Sequence, residues 1–182
     1  MKPIIRTFQI ADVAEKYKKL ARSNSHDEAS YQELLKSLVY YPPKEYADND
    51  KKCQRVFFVN LNRFLNTFIQ VNGIKNGYII CCSDHTTASV YVNHFETGIM
   101  EDLTCYLCKE FPYTPEKYKH NIWDSKDLNA DAHLKAMTIG KSATVIIKDG
   151  VLVLGKYEDV IFAEFDRRDD KTFTVALFGT EE

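Results

Sequence analysis

The order of apolar and polar positions divides the chain into short strands and amphipathic helices. Residues 4–10 (IIRTFQI) alternate and are β-branched enough for a first strand. Residues 12–23 then read as a helix, with Asp12 at its N-cap and Val13, Tyr17, Leu20 and Ala21 at three- and four-residue steps. Ser25 and Glu28 have the spacing of a capping box ahead of a second helix over 28–41, which Pro42-Pro43 stops. A charged connector (44–52) leads to a strand over 53–59 and a helix over 60–73, which Gly73 ends. Strands follow at 77–83 and 87–93, a helix at 97–111 and a short helix at 130–140. Residues 142–155 carry the strongest hairpin signal, two strands joined by Asp149-Gly150. Two more strands, 157–165 and 171–179, flank the charged turn DRRDD. Grouped strands without regular βαβ alternation predict an α+β single domain over 1–182, with a mainly antiparallel β core, a sandwich or half-barrel, flanked by helices.

Bulk properties narrow the classes of function. A chain of 182 residues is long enough to bury a core without disulfide staples. Its net charge of −2 gives no electrostatic reason to bind nucleic acid or an anionic membrane. No apolar run approaches the roughly 20 residues of a membrane span, and the first residues lack the form of a signal peptide. The five cysteines are an odd number, which points to a reducing, cytoplasmic compartment. Cys105 and Cys108 form C-x-x-C inside a helical pattern. Packing explains them better than redox or metal chemistry, since a thioredoxin-like pair opens a helix.

The stretch DHTTASVYVN (84–93) places a histidine and two hydroxyls where an apolar strand would simply continue. His85, His120 and His133 lie on separate segments of the chain. Three neutral imidazoles so placed can build a zinc site with one open position. They match no local zinc motif, so by spacing alone three unrelated polar histidines are the stronger reading. Asp84, Asp131 and Glu164 are candidate acceptors behind the imidazoles. Glu164 in VIFAEFD has two readings: buried with Val160 and Phe162, where a carboxylate needs a partner, or solvated opposite Ile161, Ala163 and Phe165. Lys135, two residues after His133, reads as a solvated surface lysine. No P-loop or GxGxxG is present, and TIGKS (138–142) lacks the upstream glycine of a Walker motif.

Taken in order, HTTASVYVN, YKHN, NADAHLKAMTIGKS, DGVLVLGKYEDVIFAEFD and TVALFG resemble the YjbQ-like family, the secondary thiamine-phosphate synthases, over about residues 53 to 180. The resemblance implies a small α+β domain assembled as a homotrimer. It also implies a divalent metal, zinc, held by His85, His120 and His133 in one cleft, and a small phosphorylated substrate. The implied reaction joins a pyrimidine diphosphate to a thiazole phosphate. Alternatives are a non-catalytic metal- or metabolite-binding module and a zinc-dependent hydrolase. In this picture Thr86, Thr87, Ser89, Asn93 and Asp131 line the substrate site, Lys135 supplies a cation for phosphate, and Glu164 is the general base. Two positions depart from the family pattern: His94 stands where Glu is common, and Glu158 replaces a glutamine. Residues of about 11–52 read as a helical insertion.

Overall fold

The computed structural model describes residues 3–42, 56–123, 126–166, 168 and 170–181. The charged connector and Cys53–Arg55 of the second expected strand lie outside them. Two sheets carry the fold, and every strand pair in both is antiparallel. The first runs β1 (Ile4–Gln9), β9 (Thr172–Thr180), β4 (Asn76–Ser83), β6 (Ser142–Lys148), β7 (Val151–Leu152). The second runs β2 (Val39–Tyr40), β3 (Phe57–Asn60), β8 (Asp159–Glu164), β5 (Ala88–Asn93).

The sheets pack face to face. In β6 the period-two pattern sends Ala143, Val145 and Ile147 inward and leaves Thr144 and Ile146 outside. They meet Ile79, Phe173, Val175 and Leu177 of their own sheet and Val59, Val90, Val160 and Phe162 of the other. The far face of the second sheet is covered by α4 (Thr97–Glu110) and α6 (Ala130–Ile139). Met100, Leu107, Ala132 and Ala136 pack there on Phe58, Ile161, Ala163 and Phe165. Strand β8 is thus buried on both faces, which is why VIFAEF is a nearly continuous apolar run. Among its residues, Glu164 falls on the inter-sheet side.

Helices α1 (Ile10–Ser23) and α3 (Asn62–Val71) close the inter-sheet core with Ile10, Val13, Tyr17, Leu65 and Ile69. Helix α2 (Glu28–Lys36) buries no residue fully; Leu35 only leans on that core.

The predicted elements are present with several differences. Helix α1 starts two residues early, with Gln9 at its cap and Asp12 inside the first turn. The capping box of α2 is Asp27 with Ser30, because the Asp27 carboxylate accepts from Ser30 N at 2.7 Å. Helix α2 ends at Lys36, and Val39–Tyr40 pair with β3 instead of extending it. A short helix, α5 (Lys119–Trp123), has no clear periodic signal and was not expected. The hairpin turn is as read: Asp149 (φ 52°) and Gly150 (φ 80°) both take positive φ, which a type I′ turn requires. Cys105 is exposed and Cys108 half-buried, so core packing does not explain the C-x-x-C pair.

Candidate functional site

Residues 84–87 are the crossing between the two sheets, from the end of β4 to the start of β5. His85 therefore sits in a turn and does not open a strand. The turn is tied down locally. The Ser83 hydroxyl donates to the His85 carbonyl (3.1 Å) and accepts from its N–H (3.2 Å). Thr174 donates to the Asp84 carboxylate at 2.9 Å, and Asp84 N–H donates to the Thr172 carbonyl at 3.1 Å. The crossing lies beside the end of β8, the start of β9 and α6, and these bring the polar groups together.

The innermost group is Glu164, fully enclosed between the sheets. Its Oε1 accepts from Asp166 N at 2.6 Å, while Oε2 has no hydrogen-bond partner. Lys171 Nζ stands 4.0 Å away and donates to the Thr87 hydroxyl at 2.7 Å. Burial raises the Glu164 pKa to about 8. The Lys171 charge opposes this, but at 4.0 Å it does not outweigh the loss of hydration. At neutral pH Glu164 is therefore a carboxylic acid, with a proton to give.

A line of hydrogen bonds runs from Glu164 to the surface. Asn129 Nδ2 donates to Asp166 Oδ2 at 3.0 Å, and Asn129 Oδ1 lies 3.3 Å from His120 Nε2. His120 and His133 meet edge to face, with ring centroids 4.9 Å apart. Both border a cleft of about 550 Å³ together with Tyr118, Lys119, Ala130, Leu134 and Met137. His133 is held below its ordinary pKa, first by desolvation and then by the His120 and Lys171 charges. Asp166 and a hydrogen bond to the Thr86 backbone act the other way. His85 is lowered by desolvation and by Lys171, and its Nε2 lies 3.3 Å from the Thr172 hydroxyl. Both rings are thus biased to the neutral form that binds metal or takes up a proton.

The structure sorts the residues singled out by sequence. His120 and His133 come together, and His85 joins them indirectly through Thr86 and Lys171. Among the described residues, no three His, Cys, Asp or Glu side chains form a ready coordination group. Lys135 is not a solvated lysine: its Nζ donates to Asp131 at 2.8 Å, one helical turn away, and both are buried. It is engaged as an ion-pair partner and is not presented as an open phosphate cation. Ser89 is wholly buried, and its hydroxyl holds the Ala136 carbonyl of α6 at 3.1 Å, a packing role. Thr87 is spent on Lys171, and Thr86 is exposed. Asn93 ends β5, six positions from Thr87, and pairs with Asp159 at the opposite end of the sheet; it does not line this cleft. The departing residues also lie there: His94 packs on Tyr157, and Glu158 caps Gly155 N at 2.7 Å.

Lys171, Asp166, Asn129 and Lys119 were not foreseen. Asp166 reads as part of a charged turn and Lys171 as the polar start of a strand, and no local pattern distinguishes a buried lysine from a solvated one.

A model of the YjbQ-like UPF0047 proteins matches residues 50–180, and these contain the whole cluster. This chain belongs to the YjbQ family. UPF0047 proteins similar to it include one from Archaeoglobus fulgidus, 39% identical over 92 residues, which are 50% of this chain and 70% of that one. Another is YugU of Bacillus subtilis, 28% identical, covering 71% and 95%. Among solved structures, an uncharacterised YjbQ-family protein from Clostridium acetobutylicum superposes with a TM-score of 0.60 at 30% identity, over 68% of this chain and 92% of that one. A YbjQ-like protein of unknown function from Sulfolobus solfataricus P2 shares the fold over 98% of this chain and 99% of its own, with a TM-score of 0.66 and 21% identity. The YjbQ match begins near residue 50, so α1 and α2 lie outside it, whereas the Sulfolobus fold likeness extends over almost the full chain.

Proposed function

We propose that the cleft is the catalytic centre of an enzyme acting on a small phosphorylated substrate, with thiamine-phosphate synthesis as its reaction. The observation that carries this reading is the hydrogen-bonded line from cleft to interior, His120–Asn129–Asp166–Glu164, ending on a buried carboxyl group that holds its proton at neutral pH. A stable fold gains nothing from an enclosed glutamate with an unpartnered oxygen, and a buried, perturbed carboxyl group beside a cleft is the mark of a functional site.

In the proposed reaction the thiazole nitrogen attacks the exocyclic methylene carbon of the pyrimidine diphosphate. A C–N bond forms, the C–O bond breaks, and pyrophosphate departs with the bonding pair. His120 and His133 face the substrate, and Lys119 at the cleft rim offers a cation for phosphate. Glu164 stands behind them as an acid in the resting state, not the base that the resemblance implies, and through the Asp166 backbone N–H it helps hold Asp166, Asn129 and His120 in place. The wall formed by Tyr118, Leu134 and Met137 suits a flat heterocycle.

A second reading keeps a divalent metal such as zinc. It is supported by the neutral bias of His85 and His133, and by the partner each of the three rings has on one side, Thr172, Asn129 or the Thr86 backbone, as metal-ligating histidines do.

The test combines His133→Ala and Glu164→Gln with assays of thiamine-phosphate formation, pyrophosphate binding and metal content. The catalytic reading expects turnover by the parent, a loss of roughly 10²-fold or more in His133→Ala and a clear loss in Glu164→Gln. A parent that binds pyrophosphate without turnover is a binding module. Full turnover in both variants removes the chemistry from this cleft. Metal recovered with the parent and lost in His133→Ala establishes the second reading.

A further inference from the structure

We propose a second ligand site, outside the histidine cleft, that takes an organic anion with an apolar body: a short-chain carboxylate seated between α1 and α3. A groove of about 290 Å³ runs between these helices over β1. Its floor is aromatic and aliphatic, with Phe8, Val13, Leu20, Phe64 and Phe68. Phe8 meets the rings of Phe64 and Phe68 edge to face at 4.7 and 5.5 Å, so the floor is a packed surface. The volume lies at the small end of ligand pockets and suits a short acyl chain or a single ring.

The head group is argued from the rim. Lys16 and Arg63 both line the groove and are exposed, and neither has an ion pair among the described residues. Elsewhere on α1, Lys18 pairs with Glu15 and Arg22 with Glu28, while Lys19 has no ion pair among the described residues and does not line the groove. No acidic residue lines the groove. Between the two cations sits Tyr17, only 5% exposed, whose hydroxyl accepts from Phe64 N at 3.1 Å. That bond leaves the Tyr17 hydrogen free to donate, and Arg63 is close enough for its charge to act on the phenol. An apolar trough, two unmatched positive charges and a buried hydroxyl donor form a complementary set for a carboxylate with a hydrocarbon tail. Four of the ten lining residues come from α1, which the YjbQ match does not include, and none of the ten borders the histidine cleft.

The probe is sodium octanoate, titrated against the full-length protein by calorimetry, with octan-1-ol as the uncharged control. We expect saturable one-to-one binding of octanoate, and weakening by roughly ten-fold or more, about 1.4 kcal/mol, in Arg63→Glu. Thr67→Trp, an exposed position on the groove wall, should abolish it by filling the trough. Circular dichroism on both variants checks that they fold. No saturable octanoate binding by the parent overturns the proposal. So does equal affinity for octan-1-ol, or unchanged affinity in folded Arg63→Glu.

Discussion

Glu164 and Lys135 are both enclosed, yet they make opposite predictions. Glu164 holds a proton in the fold to about pH 8, where an exposed glutamate would lose it near 4.5. The native state then binds more protons than the unfolded chain between these values. The associated stabilisation is full below about 4.5 and is lost as pH rises through about 8, by at most about 1.4 kcal/mol per pH unit. Denaturant unfolding from pH 5 to 9 should show this decline. Glu164→Gln, which mimics the protonated acid, should flatten it; an unchanged slope would mean that another group titrates. Lys135 is held by Asp131 in a dry environment. Lys135→Ala leaves a buried carboxylate without its ion pair and should cost about 3–5 kcal/mol. Adding Asp131→Ala should recover part of that loss, a coupling that a thermodynamic cycle measures directly. If Lys135 were instead a phosphate contact, its removal would lower activity and leave stability alone.

Helices α1 and α2 form one predicted insertion but differ in what they bury. Ile10, Val13, Tyr17 and Ala21 of α1 are enclosed, and Ile10 N–H is bonded to the Lys171 carbonyl at 2.9 Å, close to the site. Ile10→Ala should therefore cost about 2–5 kcal/mol, whereas Leu34→Ala, on half-buried α2, should cost about 1 kcal/mol or less. Equal losses by chemical denaturation would show that α2 is as integral as α1. The pairing of β4 with β9 has its own constraint. Gly77 faces Gly179, and a Cβ on Gly77 would overlap the Phe178 carbonyl oxygen, which backbone pairing holds in place. Gly77→Ala must push the strands apart and should lower the melting temperature by several degrees. The two glycines read from sequence as the ends of predicted strands, and this close approach between them had no local signature.

At the scale of the molecule the surface is uneven. Trp123 is 79% exposed and Met137 73%, and Met137 borders the cleft. Large exposed apolar side chains beside a cleft are what an interface between copies would cover. Strand β5 also leaves one backbone edge of its sheet unpaired among the described residues. We expect a homotrimer with the cleft near a subunit boundary. Light scattering at micromolar concentration should then give about three times the 21.1 kDa chain mass, and Trp123→Asp should reduce it. A monomeric parent would remove the subunit boundary from the account of the cleft.

The sequence alone determined the elements whose signals are local. Alternation located β6 and β9, Asp149-Gly150 set the hairpin, and the ordered motifs placed the chain in its family. It also picked out His120 and His133, because a motif records residue identity. What it left open was set by distant parts of the chain. Glu164 had two readings because β8 is apolar on both faces, so periodicity could not say which side met solvent. Lys171 looked like the polar start of a strand beside a charged turn, yet its ammonium lies on the Thr87 hydroxyl, 84 residues away in sequence. Asn93 looked close to His85 because a strand is short in sequence, but the strand's rise carries it to the other end of the sheet. Burial decides the charge of a carboxyl group and the availability of a lysine, and burial belongs to the packed sheets rather than to any segment of the chain.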